Sequence, residues 1–341
     1  QVFCGEEQAG EGTMLSGPHQ SARIPAPAMS LTEFLTEVFC LVDDILIELK
    51  HDLRESGEPL RSRGPSPTVS DSVVLTCELA GEFLGYDTDS RLFSYFQRHH
   101  EELFPTLETV HRTTLTRQAA NLWSVKHMLR RRLLRRLWKR HRDKANAVVP
   151  QISITDSFPM PICRLMRSSY CQLFEGQAAF GHNETNDQTM YGFRGHVEIA
   201  WPGAVVNTAI APANEHDVTV APEVLEGGPR RGDPRDASRT VLGDKAYQSQ
   251  RLDAGLSESV QLEAPSRSED EKWPRALVQI RRRVETVISQ LCERFNAKRV
   301  WARDRWHLTV RWIRKLCSHT MAMLLCYRRG HPPLQFAELI D

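Results

Sequence analysis

Apolar side chains recur at helical spacing through the first third of the chain. The segment "MSLTEFLTEVFCLVDDILIELK" carries such a stripe, and Ser30 stands before it as an N-cap with Glu33 in the following turn. Segments 70–86 and 90–107 repeat the spacing, and a loop rich in Pro, Gly and Ser (55–72) separates them from the first helix. The pattern therefore predicts a small all-helical unit on the N-terminal side.

Short apolar runs replace this spacing after Ala147. Segment 148–156 is typical of a strand that ends in an aspartate, and 239–247 of a buried strand with an aspartate near its end. Segments 191–201 and 204–213 flank a Pro-Gly turn, which indicates a β-hairpin. Strand, hairpin, helix, strand and helix in this order predict an α/β fold with a mixed sheet flanked by helices.

Three carboxylates stand at notable places in this order. Asp156 and Asp244 follow predicted strand ends, where ligands bind in such sheets. Glu285 lies at the edge of the apolar stripe of "QIRRRVETVISQL" (279–291), so a helix packed on the sheet would bring it to the same place. Carboxylates that share a cleft raise one another's pKa unless cations neutralise them, and hard oxygen ligands suit Mg²⁺ or Mn²⁺. A surface ion pair of Glu285 with Arg281 or Arg282 explains the position of Glu285 equally well, and spacing alone leaves both interpretations open.

Composition divides the 341 residues into five segments. The first segment, 1–28, is rich in Gly, Ser, Pro, Ala and Glu, which is typical of a disordered leader. We therefore expect Met29 to be the natural start. The segments are a leader (1–28), a helical N-terminal domain with possible DNA binding (29–115), a basic helical connector (116–150), an α/β catalytic domain (151–330) and a tail (331–341).

The overall composition is that of a globular protein, with 40% hydrophobic and 26% charged residues and a net charge of +1. The eight cysteines show no CxxC spacing and no zinc-like array, which favours free thiols in a reducing cytoplasm. No apolar run approaches the length of a membrane span, and no signal peptide is recognisable. We therefore expect a cytoplasmic protein without membrane contact.

The segment "HMLRRRLLRRLWKRHRDK" is the most basic part of the chain, with nine Arg or Lys between Arg130 and Lys144 against one Asp. A solvated helix face, phosphate binding and membrane-surface binding all fit this pattern, and the lack of other membrane signals favours nucleic acid. The basic and aromatic stretch 298–315 either lies along DNA or packs its tryptophans on the core. The candidate DNA contacts are Arg130, Arg131, Arg132, Arg135, Arg136, Lys139, Arg140, Arg294 and Lys298.

Five segments together resemble the DDE-type transposases of bacterial insertion sequences, of the kind in insertion-sequence family nine-eight-two. They are "SITDSFPMPIC", "YGFRGHV", "APANEHD", "VLGDKAY" and "RRRVETVISQLCERFNAKRVWARDRWH", and the resemblance extends over 29–326. It implies an RNase H-like catalytic fold in which Asp156, Asp244 and Glu285 form the metal-binding triad and hold two Mg²⁺ or Mn²⁺ ions.

The resemblance also implies supporting residues. Tyr247 matches an aromatic residue near the second Asp, and Arg281 matches an arginine four residues before the Glu. His216 and Asp217 match a recurrent His-Asp pair, for which a helix cap is an equally good explanation.

Two positions depart from the family pattern. Related transposases have a Tyr seven residues before the Glu and a Lys seven residues after it, where this chain has Val278 and Cys292. Cys292 cannot supply a positive charge to a phosphate, whereas Arg294 lies two residues further on. A copy that folds but has lost its activity is therefore an alternative.

The resemblance implies a transposase that cleaves the terminal inverted repeats of an insertion sequence and joins the ends to new DNA. Its partners would be double-stranded DNA and further copies of the chain, because two element ends must be held together. Its place would be the bacterial cytoplasm, in association with the nucleoid. Two alternatives stay open, a metal-dependent nuclease of the same fold and a DNA-binding copy with an inactive site.

Overall fold

The computed structural model describes residues 25–58, 60, 65–142, 151–183, 187–226, 238–265 and 273–341. Its N-terminal part contains α1 (Leu31–Glu55), α2 (Asp71–Phe83), α3 (Asp89–His99), α4 (Arg112–Asn121) and α5 (Trp123–Arg142). The helical N-terminal region predicted from the sequence is therefore confirmed. Within the described ranges, no helix combines the length and the apolar character that crossing a membrane would require.

The start of α1 shows how a local pattern specifies an element. The backbone N–H of Glu33 donates to Ser30 Oγ at 3.3 Å, and the Glu33 carboxylate accepts from the Ser30 N–H at 2.9 Å. This reciprocal cap satisfies two donors at the helix start. Behind it, the apolar stripe of α1 is buried from Phe34 to Leu49.

A six-stranded sheet with flanking helices follows. In chain order the elements are β1 (Ile152–Pro161), β2 (Ala179–Asn183), β3 (Gln188–Ala200), β4 (Ala204–Pro212), α6 (Asp217–Glu226), β5 (Arg239–Leu242), α7 (Gln250–Gly255), β6 (Val260–Glu263), α8 (Arg275–Ser289) and α9 (Arg305–Arg328). The strand order is β2-β3-β1-β5-β6, and β4 also pairs with β3.

The central strand β1 separates two kinds of pairing. It is antiparallel to β3 and parallel to β5, and β6 runs parallel to β5. Antiparallel strands on one side of a central strand and parallel strands on the other are the arrangement of an RNase H-like sheet. The predicted fold class, an RNase H-like mixed sheet preceded by helices, is therefore confirmed.

Helices cover both faces of the sheet, because alternate residues of each strand point to opposite sides. On one face, the ring of Phe158 lies 5.7 Å from the ring of Trp312 on α9. On the other face, Val224 and Leu225 of α6 pack with Val241 of β5. The α/β part of the chain, from β1 to α9, thus has a layer of helices on each side of the strands.

Helix α9 joins the sheet to the N-terminal helices, since it packs along α5 and α2. Its charged residues are buried there: Arg314 Nη2 lies 2.6 Å from Glu82 Oε1, and Lys315 Nζ lies 2.8 Å from Glu82 Oε2. Lys126 of α5 lies 2.6 Å from Glu78 of α2. A buried ion-pair network therefore holds the N-terminal helices on the α/β part.

Most of the predicted leader, residues 1–24, lies outside the described residues. The remaining residues of that segment lie against the C-terminal end of the chain. Ala26 N–H donates to the Arg329 carbonyl at 2.9 Å, and Met29 pairs with Ile340 in a parallel bridge. Ala26 of the predicted leader is thus held at the end of α9, and Met29, the first residue after the leader, is held by the tail.

Candidate active site

Asp156 and Asp244 lie at the same place on two neighbouring parallel strands. The last paired residues of β1 and β5 are Ile154 and Leu242, and each aspartate stands two residues beyond its member of that pair. Because the two strands are parallel and in register, Asp156 and Asp244 lie side by side. The strand pairing therefore places Asp156 and Asp244 together.

The prediction that Asp156 ends its strand was wrong. β1 continues to Pro161, because β3 offers an antiparallel partner for every residue from Ser153 to Pro161. Only the parallel partner β5 ends early, at Leu242. Asp156 thus sits where β1 loses its neighbour on one side, which opens the edge of the sheet beside Asp244.

The charge balance at this edge is negative. Burial and, to a smaller extent, the nearby carboxylates of Asp244 and Asp217 raise the pKa of Asp156 to about 6. Two groups oppose the rise: the Ser157 N–H, which donates to Asp156 Oδ1 at 2.8 Å, and the more distant Arg281 guanidinium. A cation bound at this edge would relieve the repulsion between the carboxylates.

A short 3₁₀ turn fixes Asp244. Its Oδ1 accepts from the Ala246 N–H at 2.8 Å, so Asp244 caps the turn that ends in Tyr247. Tyr247 folds back over the glycine before Asp244: a Cβ at Gly243 would lie 2.9 Å from Tyr247 Cβ. Gly243 is therefore required for this turn. Tyr247 is buried and hydrogen-bonded to Thr155, and burial raises its pKa well above the ordinary value, so it remains a neutral hydroxyl.

Helix α8 approaches the site from the side and packs against β1. Val284 and Val287 are buried, while Glu285 is exposed. Arg281 stands one turn before Glu285 and lies near enough to Asp156 to lower its pKa. Residues four apart lie on one face of a helix, so Glu285 is about 6 Å along the same face that Arg281 presents to Asp156.

The three carboxylates are not gathered at ligand distance from one another. In the described ranges, one group of three potential ligands has all donor atoms within 4.8 Å, namely His51, Asp52 and Glu55, which are exposed on α1. Asp52 also pairs with Arg132, so this group belongs to a surface ion-pair cluster.

Asp217 is a further acidic residue of the site. Its Oδ1 is buried, lies 3.5 Å from His196 Nδ1 and 3.8 Å from Arg194 Nη1, and makes no hydrogen bond with the described residues. Burial lowers the pKa of His196 to about 4, so the imidazole is neutral near pH 7. His216 is exposed. Asp217 thus faces the sheet, while its predicted partner His216 points away from it.

Sequence reasoning missed the buried support beneath the site. Glu198 of β3 is fully buried and accepts from Ser153 Oγ at 2.7 Å, Asn207 Nδ2 at 2.7 Å and Arg239 Nε at 2.8 Å. These partners belong to β1, β4 and β5, so one carboxylate fixes the strands that carry Asp156 and Asp244. The signal was a single Glu in the otherwise apolar run "HVEIAW", together with one Arg and one Asn in neighbouring strands.

The basic helix α5 turns only part of its charge outward. Arg130 is buried and donates to the carbonyls of Val205 and Val206 at 2.8 and 2.9 Å. The prediction that Arg130 contacts DNA was wrong, because its guanidinium ties α5 to β4. Arg132 pairs with Asp52 and Glu48 of α1, and Arg136 pairs with Glu48 and Asp44. Arg131, Arg135 and Lys139 are exposed, and Arg140 is half-buried.

The end of α8 explains one departure from the family pattern. A π-helical turn at Gln290–Arg294 adds a residue to the turn and rotates the following positions, so that Cys292 is buried. Arg294 cannot replace a DNA-contacting lysine, because its guanidinium lies 4.0 Å above the ring of Phe83. Lys298 is exposed, and Val278 is partly exposed on α8.

The tryptophans of stretch 298–315 divide between the two interpretations. Trp312 is buried and donates from Nε1 to Thr208 Oγ1 at 2.9 Å. Trp301 and Trp306 are 59% and 43% exposed. Core packing therefore explains one tryptophan and leaves two at the surface.

Comparisons with known proteins bear on the same region. The Transposase DDE domain family matches residues 148–321, slightly more than half of the chain, and includes all three carboxylates. The match identifies the domain and not the type of insertion sequence. No curated protein matches the sequence. A cryo-EM structure of a piggyBac transposase synaptic complex with hairpin DNA aligns over 75% of this chain and 56% of that chain, with 12% identity and a TM-score of 0.30.

Proposed function

The chain belongs to the Transposase DDE domain family, and from this premise we propose that it cleaves and joins DNA at the ends of a mobile element. The reaction would be metal-dependent, with Asp156, Asp244 and Glu285 as the ligand set. The observation that carries the proposal is that Asp156 on β1 and Asp244 just beyond the end of β5 lie side by side, within the matched region.

The residues fit a hard divalent cation. The donors are carboxylate oxygens, which suit Mg²⁺ or Mn²⁺. Burial, together with the nearby carboxylates of Asp244 and Asp217, raises the pKa of Asp156 to about 6, and a bound cation would stabilise the ionised carboxylate there. Bound ions, two by resemblance to the family, would stabilise the attacking and leaving oxygens of a phosphodiester.

The chain's own residues would position this chemistry. Asp244 is fixed by the turn that it caps, and Asp156 by the β1–β3 pairing. Glu285 would complete the set from the exposed side of α8. Arg281, on the same face of α8 and near Asp156, would bind the phosphate that the reaction transfers.

Metal binding predicts a stability change that depends on pH. At pH 7.5, Mn²⁺ is expected to raise the melting temperature of the wild type by about 2 °C or more, because a ligand that binds only the folded state stabilises it. The increase should shrink at pH 5, because Asp156, with a pKa of about 6, is then protonated and a proton competes with the cation. Differential scanning fluorimetry with and without EDTA measures the change.

Two variants locate that binding. Asp156→Asn should remove the Mn²⁺ effect, and Glu55→Gln, in the exposed group on α1, should leave it unchanged. Loss of the effect in Glu55→Gln alone would place the ion on α1 and contradict the proposed site.

We propose that the exposed face of α5 binds DNA phosphates. The double variant Arg131→Glu/Lys139→Glu is expected to weaken duplex binding about tenfold at low salt. It should also make the slope of the logarithm of the binding constant against the logarithm of the salt concentration shallower by about two. Each phosphate contact contributes about one unit to that slope. Fluorescence anisotropy over a salt series measures both quantities.

Lys50→Glu is the matched control, since Lys50 is an exposed cation on the neighbouring helix α1. It should leave the salt slope unchanged. If Lys50→Glu lost as much binding free energy per reversed charge as the double variant, binding would follow net charge and not the face of α5.

Strand transfer separates a transposase from the two alternatives. The protein would be incubated with DNA carrying the element's ends, recovered from the flanking genome, in Mg²⁺ or Mn²⁺. Products joined to a second DNA support a transposase, cut ends without joining indicate a nuclease, and binding without cleavage indicates an inactive copy.

A further inference from the structure

The loop between β1 and β2 carries the most exposed apolar side chains of the described residues. Met166 is 92% exposed and Tyr170 is 87% exposed, on a 3₁₀ helix at Leu165–Tyr170. Leu165 beside them is 47% exposed. Large apolar groups gathered in full contact with water indicate a binding surface.

This loop is braced from within. Ser168 Oγ donates to the Leu165 carbonyl at 2.6 Å, and the Cys171 N–H donates to the Ser168 carbonyl at 3.2 Å. At its far end, buried Phe174 packs edge-on against Phe193 of β3, with ring centroids 5.1 Å apart. The exposed side chains therefore stand on a structured support.

The charge of the loop suits a polyanion. Arg164 and Arg167 are exposed on either side of Met166. Residues 162–173 contain no Asp or Glu. An apolar tip flanked by cations matches the wedges with which proteins enter the minor groove and unstack a base step, where Met is a frequent wedge residue.

The position of the loop relates it to the carboxylates. Beyond Asp156, β1 continues to Pro161 and leads directly into the loop. Five residues of strand span about 17 Å, which is the rise of about five base pairs. The loop leaves the same edge of the sheet as Asp244, because β1 and β5 are parallel. A duplex that runs along β1 from a cut at Asp156 would meet the start of the loop about half a helical turn away.

We propose that the β1–β2 loop distorts duplex DNA beside the cleavage site, with Met166 and Tyr170 against a base step and Arg164 and Arg167 on the flanking phosphates. This inference rests on the proposed function and adds to it a substrate requirement, a base step about five base pairs from the cut that can be opened.

The test compares intact and pre-opened DNA. On an intact duplex, Met166→Ala/Tyr170→Ala is expected to cleave about tenfold more slowly than the wild type, because the unstacking energy is no longer supplied. On a duplex with a mismatched pair about five base pairs from the cut, the variant should recover to within about twofold of the wild type. Ile47→Ala, at a 59% exposed residue on α1, should behave as the wild type on both substrates.

Equal cleavage of intact duplex by the variant and the wild type, or a loss that no mismatch repairs, would overturn the proposal. Light scattering without DNA gives a second test. If the variant had half the molar mass of the wild type, the loop would join two copies of the chain, and the proposal would be overturned. A 2-aminopurine base at the same step gives a readout without cleavage: its fluorescence should rise on binding of the wild type and not of the variant. Failure of the wild type to cleave contradicts the proposed function, whereas this signal tests the loop by itself.

Discussion

Asp156→Asn is expected to reduce DNA cleavage at least about a thousandfold and, at the same time, to stabilise the metal-free protein at pH 8. The first effect follows because an amide is a poor ligand for a hard cation and cannot replace a carboxylate in the set. Duplex binding should be retained, because the phosphate contacts proposed for α5 are separate from this site. Cleavage of end-bearing DNA and anisotropy measure the two activities.

The stability effect follows from the raised pKa of Asp156, about 6 against an ordinary value of 3.8. A group whose pKa is raised by folding stabilises the folded state fully when the pH is below its ordinary pKa. This contribution is lost as the pH rises through the folded-state pKa of about 6. At pH 8 the ionised carboxylate therefore opposes folding, by roughly 1–3 kcal/mol. Neutral Asn removes this cost, so the difference between variant and wild type should appear between about pH 4 and pH 7.

Asp253→Asn serves as the control, because Asp253 is an exposed acid on α7. It should change neither cleavage nor stability. An Asp156→Asn protein that is less stable than the wild type at pH 8 in EDTA would show that the carboxylate is not under the electrostatic stress inferred here.

Arg314→Met is expected to destabilise the fold by about 3–5 kcal/mol. Arg314 is buried, lies 2.6 Å from Glu82 and 2.9 Å from Asp89, and donates to the Asp87 carbonyl at 2.9 Å. Removing one partner of a buried ion pair leaves the other charges without compensation, and this cost exceeds what the pair contributes while intact. Because α9 carries Arg314 and α2 carries Glu82, the N-terminal helices should separate from the α/β part first.

Urea unfolding measures the loss, and Arg311→Met provides a comparison on the same helix. Arg311 pairs with Asp89 at 2.8 Å but is partly exposed, so its removal should cost less than about 1 kcal/mol. If both variants unfold at the same urea concentration, the buried network has no special role in joining the two parts.

Local patterns in the sequence predicted much of this fold. Ser30 and Glu33 form the reciprocal cap that their spacing indicates, and the Pro-Gly turn produces the β3–β4 hairpin. These features depend on residues close together in the chain, whose geometry is fixed by helix and strand periods. The order of elements then sufficed for the fold class.

Features that depend on distant partners could not be predicted in this way. Arg130 looks like its exposed neighbours in the sequence, and only the carbonyls of Val205 and Val206, on a strand more than seventy residues away, place it inside. The sequence predicts a strand that ends at Asp156. It does not show that β3 pairs with β1 as far as Pro161 and so extends the strand. The neighbour of Asp217 proved to be His196 of β3 rather than the adjacent His216. Contacts between residues that are distant in the sequence decide each of these cases.

Glu285 is the member of the proposed triad that rests most on resemblance, so it offers the most direct test of the account. Wild-type protein, Glu285→Gln and Glu293→Gln would be assayed for Mn²⁺-dependent cleavage of DNA carrying the element's ends, with Glu293 as an exposed acid eight residues further on. The account predicts cleavage at the element boundary by the wild type and by Glu293→Gln, and none by Glu285→Gln. Full cleavage by Glu285→Gln would contradict the three-carboxylate site.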